Sequence, residues 1–72
     1  MTLTAQDIWL HQLFSAKAVN KGGVLRRAKH DVARNIGLEQ LILEVKRRGF
    51  HMIETDAQLI ILCNNGHFRV LC

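Results

Sequence analysis

Two basic runs stand out in this chain. Arg26, Arg27 and Lys29 lie between a glycine pair and a helical pattern, and Lys46, Arg47 and Arg48 sit just before Gly49. Guanidinium groups match phosphate oxygens two bonds at a time, so arginines so placed suit a nucleic-acid backbone. Lys21, Arg34 and Arg69 extend the candidate phosphate-contacting set. Gln40 is the one side chain placed to read a base, because an amide can bond an adenine edge through two hydrogen bonds. The bland reading of the same residues is a solvated charged face. For Lys46 to Arg48 that face also complements the negative end of a helix, and there it is the better reading.

Other chemistry finds less support. Cys63, His67 and Cys72 have the residue types of a partial zinc site. If the last third of the chain forms paired strands, the two cysteines share a face but stand on the order of 12–15 Å apart, with His67 on the other side. That spacing also excludes a disulfide between them. Buried cysteines serving as small apolar residues are the expected outcome. His30 and Asp31 are sequence neighbours, and neighbours on a helix do not face each other. No catalytic residue, metal or cofactor is expected, and the chain is read as a non-enzyme.

Bulk properties agree with a small binding protein. The 72 residues suffice for one small α+β domain spanning 1–72, with 49% apolar residues to build a core. The net charge is +4 and the pI about 9.7, so polyanions are natural partners: DNA before RNA, or an acidic protein surface. Two cysteines make no disulfide framework, no signal peptide is evident, and the longest apolar run, Leu59 to Cys63, is too short for a bilayer. These features point to a cytoplasmic protein with reduced thiols and no membrane association.

The elements that must position these residues follow from period and punctuation. Residues 4–19 predict a first helix, opened by a Thr4–Asp7 capping box and stopped by "NKGG". "VLRRA" suits either a strand or a helix start, and an extended lead-in is preferred. Val32, Ala33 and Ile36 precede Gly37 at helical spacing. Leu38, Leu41, Ile42 and Val45 then form the i, i+3, i+4, i+7 stripe of an amphipathic helix.

From Phe50 on, the period changes to two. "FHMIE", "QLIILC" and "HFRVLC" predict a three-stranded antiparallel meander with turns at Asp56-Ala57 and Asn65-Gly66. That register sets Met52 opposite Ile61 and Cys63 opposite Phe68. One face then gathers Phe50, Met52, Leu59, Ile61, Cys63, Phe68, Val70 and Cys72 as core. The other carries Ile53, Ile60, Leu62 and Leu71 among His51, His67 and Arg69. That second face is too apolar for a plainly wet one.

The stretch "DVARNIGLEQLILEV" resembles the helix-turn-helix family. Ala33 lies four residues before Gly37, and Val32, Ile36, Leu38 and Leu43 fall near that family's apolar positions. With the strands behind it as a wing, the order resembles a winged helix. The resemblance implies DNA binding and transcription regulation, with the helix after Gly37 as reader. Lys46 departs from the pattern, where the family places an apolar residue. Glu39 and Glu44 set two carboxylates on the would-be reading face, which shifts the expected weight to the arginines before and within the preceding helix. "VKRRGFHMIE" also faintly resembles small messenger-RNA-cleaving toxins with a double-stranded-RNA-binding-like fold. Their catalytic His follows Gly-Ser, and Gly66-His67 lacks the Ser, so the activity does not carry over.

The leading expectation is a small nucleic-acid-binding regulator held mainly by phosphate contacts. The alternative is a protein-interaction module, or a small inhibitor of the phage or mobile-element kind, docking through Ile53, Ile60, Leu62 and Leu71. The same face would also serve as a homodimer seam.

Overall fold

The computed structural model describes residues 3–72. The fold is α+β: among the described residues there are four helices and a three-stranded antiparallel sheet. Helix α1 (Ala5–Phe14) starts as the sequence predicts. The Asp7 N–H donates to Thr4 Oγ1 at 3.0 Å, and the Thr4 N–H donates to the Asp7 carboxylate at 3.1 Å. The predicted helix over 4–19 is interrupted, however. Ser15 Oγ donates back to the Gln12 carbonyl, and Ala16 turns extended before a short α2 (Lys17–Asn20). A hydroxyl near a helix end competes for the carbonyls that would otherwise carry the helix forward.

β1 (Val24–Ala28) is followed by α3 (Lys29–Asn35), α4 (Leu38–Arg47), β2 (His51–Glu54) and β3 (Gln58–Leu62). Gly37 joins α3 to α4 at φ +89°, a conformation that side chains resist, and its N–H donates to the Val32 carbonyl at 2.7 Å. Gly49 closes α4 at φ +75°. Its N–H donates to the Lys46 carbonyl and that of Phe50 to the Val45 carbonyl, the paired bonds of a Schellman stop.

The sheet order is β1-β3-β2. The β2–β3 register is as predicted, with Met52 opposite Ile61 and the turn at Asp56-Ala57. The third strand is not. The meander through "HFRVLC" is replaced by β1, which pairs Leu25 with Ile61 and Arg26 with Ile60. β3 has two edges and no more, and β1 occupies the one the C-terminal segment was expected to take. The Asn65-Gly66 hairpin also gives way, because the Asn64 side chain accepts the Gly66 N–H at 3.0 Å in a local turn. Phe68, Val70 and Cys72 are therefore exposed and not core, and Cys63 does not face Phe68.

The core gathers Leu13, Phe14, Leu25, Val32, Ile36, Leu41, Val45, Leu59, Ile61 and Cys63. It draws on α1, α3 and α4 and on one face of the sheet, with Phe50 and Met52 packed at its border. The first helix therefore packs on the same side as the others. Strand alternation sends Val24, Arg26, His51, Ile53, Ile60 and Leu62 to the opposite face.

Candidate nucleic-acid interface and the open sheet face

The predicted cations do not form one cluster. Lys21 is exposed at the end of α2. Arg26 stands exposed on the open sheet face, beside Ile60. Arg27 alternates to the helix side, where its guanidinium donates to the Arg26 carbonyl at 2.6 Å. Lys29 is held by Glu54 at 3.2 Å. Arg34 projects from α3 opposite the buried Val32, and Arg69 lies in the C-terminal segment. Among the described residues Lys21, Arg26, Arg27, Arg34, Lys46 and Arg69 have no carboxylate within ion-pair distance.

The outward side of α4 is better organised than its sequence suggests. Leu41 and Val45 point to the core, so Glu39, Leu43 and Lys46 line the far side, flanked by the row Gln40, Glu44 and Arg47. Glu44 is not a free carboxylate. Its side chain is only 17% exposed and receives hydrogen bonds from both Arg47 and Arg48. The Arg47 hydrogen bond, the largest influence, holds the Glu44 carboxyl below its ordinary range; burial works against it, and Arg48 adds to it. One acid bracketed by two guanidiniums leaves that trio net positive. Of the two acids that opposed phosphate approach, only Glu39 remains.

Arg48, which the spacing grouped with the basic run, has a packing duty. Its guanidinium sits 4.2 Å above the Phe14 ring while bonding Glu44, tying the end of α4 to α1. The Phe14 ring in turn lies 6.2 Å from that of Phe50.

The predicted docking residues divide. Ile53 and Ile60 are direct cross-strand partners, and Leu62 is two residues further along β3, so these three share the open face. Val24, opposite Leu62 and half exposed, belongs with them. Its place was readable only once "VLRRA" is taken as a strand. Leu71 lies outside the sheet, 80% exposed. The chain after β3 does touch the sheet: His51 Nε2 donates to the Gly66 carbonyl at 2.8 Å, and the Phe68 ring meets the His51 ring edge-on at 5.0 Å.

A groove of about 430 Å³ opens between α4 and β2, with Leu38, Ile42, Phe50, Met52 and Ile53 among its walls. Among the described residues no three His, Cys, Asp or Glu side chains gather as a metal site, and no helix is long and apolar enough to cross a membrane. Cys63 is buried and desolvation raises its thiol pKa, whereas Cys72 is exposed. No protein-family model, curated protein or solved structure matches this chain.

Proposed function

We propose that this chain is a small nucleic-acid-binding regulatory protein of the cytoplasm that takes DNA in preference to RNA. The observation that carries this reading is the outward side of α4. Gln40, Lys46 and Arg47 are exposed there, and Glu44 is neutralised by its arginines. α3, Gly37 and α4, followed by the β2–β3 hairpin, supply the order of elements in which the helix-turn-helix and winged-helix resemblance was stated. Arg34 on α3 and Arg26 on the sheet add cations without acidic partners. The weight thus shifts from the dispersed Arg26, Arg27 and Lys29 group towards α4.

Binding led by phosphate contacts weakens with salt, with a log–log slope of about −0.9 per neutralised phosphate. Fluorescence anisotropy with duplex DNA across a salt series measures that slope. Lys46→Ala with Arg47→Ala is expected to lower the slope by roughly one unit per lost contact, across all sequences. Gln40→Ala is expected to reduce discrimination between sites without changing the slope. No retention of DNA or RNA at low salt overturns the reading.

A second reading is favoured by a different observation, the uncovered apolar face of Val24, Ile53, Ile60 and Leu62. It is a protein-interaction module or small inhibitor whose partner brings acidic groups to Arg26, since no carboxylate alternates to that face. Ile60→Glu would then release the partner in a pull-down while leaving nucleic-acid affinity unchanged.

A further inference from the structure

The chain exposes more surface than its mass requires. A compact monomer of 8.2 kDa has about 4,500 Å² of accessible surface. This one has 5567 Å², roughly 1,000 Å² in excess. Its radius of gyration, 12.4 Å, likewise exceeds the ~11 Å expected of a compact domain of this length. The excess is of the size that each partner buries in a standard interface, about 800 Å².

Two features contribute to it, and they complement each other. The first is an acceptor. β2 is an edge strand whose outer side is unpaired, and the apolar groove beneath that edge lies against α4. Leu38 and Ile53 remain 43% and 39% exposed at the groove. The second is a donor. His67 to Cys72 alternates as a strand does, yet among the described residues none of its backbone groups finds a backbone partner. Val70 and Leu71 are 78% and 80% exposed. Phe68 and the Gly66 carbonyl hold the start of this segment against His51, the first residue of β2.

We infer that the chain forms a homodimer in which the C-terminal segment of each copy adds to the β2 edge of the other. Val70 then enters the groove against α4, while Phe68 keeps its place on the His51 ring of its own chain. Backbone bonds to β2 supply the pairing and the groove supplies the side-chain fit, the usual division of labour in strand addition. A second copy is the fitting occupant because each chain carries, among its described residues, an unpaired strand-like segment and a β2 edge with an apolar groove beside it, so a two-fold arrangement satisfies both at once. The inference stands independently of nucleic-acid binding.

Cys72 allows a direct test. It is exposed while Cys63 is buried, so a benzophenone maleimide placed on the full chain labels Cys72 selectively. In a mixture of isotopically light and heavy chains, irradiation is expected to give light–heavy crosslinks from Cys72 into residues 38–54. Sedimentation equilibrium of the unlabelled chain is expected to show a dimer. Val70→Asp, at a position that contributes nothing to the monomer core, raises its dissociation constant about tenfold or more, as loss of an interface anchor does. Leu38→Glu on the opposing wall has the same effect.

A dimer that survives both Val70→Asp and removal of residues 67–72 overturns the proposal in favour of pairing through the open sheet face. A monomer with exchange-protected amides in residues 68–72 overturns it in favour of the segment closing on its own β2. A monomer with unprotected amides there overturns it outright.

Discussion

Gln58–Leu62 and His67–Cys72 both place apolar residues at alternate positions, yet one is the central strand of the sheet and the other has no strand partner among the described residues. β3 runs between β1 and β2 with Leu59, Ile61 and Cys63 buried beneath the helices. The C-terminal segment follows four residues later and ends with its apolar side chains in water. The difference teaches that alternation confers a capacity to pair, and that the number of available edges decides which segment uses it. β1 occupies the second edge of β3. It brings Leu25 into the core, where Ile61 meets it across the strands.

Substitution at the two segments should separate them widely. Ile61→Ala removes a fully buried side chain of β3, and a loss of about 3–4 kcal/mol is expected in chemical denaturation. Val70→Ala, measured where the chain is monomeric, should stay within about 0.5 kcal/mol of the parent. A loss at Val70 approaching that at Ile61 would show the segment packed in the monomer and break the comparison.

A smaller effect is expected in the helix layer that covers β3. Glu44→Gln removes the negative charge between Arg47 and Arg48 and leaves one amide oxygen to accept, and it should cost about 1 kcal/mol at neutral pH, in keeping with a partly buried charge-assisted contact. The pH dependence has a definite sign. The folded-state pKa of Glu44 lies below its ordinary value of 4.5, so its contribution is fully present above that value. It fades as pH falls through the lowered folded pKa. Parent and variant should therefore converge in stability in acid, and a gap that persists there would remove the ion pair as its cause. The smallest perturbation is covalent labelling. Where the chain is monomeric, Cys72 should react with a thiol reagent at the rate of an exposed cysteine. Cys63, buried and with its thiol pKa raised, should react only as fast as the sheet opens. Equal rates would place Cys63 in a frayed strand end.

For the candidate site, the sequence was informative about side-chain direction and poor about company. Alternation placed Ile53, Ile60 and Leu62 on one face, and helical spacing turned Gln40 and Arg47 outward. Helical spacing offered Glu44 to Arg47 and Arg48 at i+3 and i+4, a pairing the sequence reading missed, whereas nothing local told that Lys29 would meet Glu54 or that Arg48 would rest on Phe14 across the helix layer. Those contacts join residues from 3 to 34 positions apart, and for the long ones the pairing depends on how whole elements pack. Arg26 and Arg27 show the limit plainly. Adjacent in sequence, they read as one basic cluster until β1 formed and sent them to opposite faces.

By itself the sequence determined the α+β class, the capping box at Thr4, the amphipathic stripe and glycine stop of α4, and the β2–β3 hairpin with its register. Each rests on interactions within a few residues, whose geometry the chain carries wherever it goes. Only the tertiary structure decided that β1 and not the C-terminal segment is the third strand, and that all the helices cover one face of the sheet. Those outcomes are competitions between distant segments for the same edge and the same apolar surface. Their result depends on the whole arrangement that buries the most, which no local window contains.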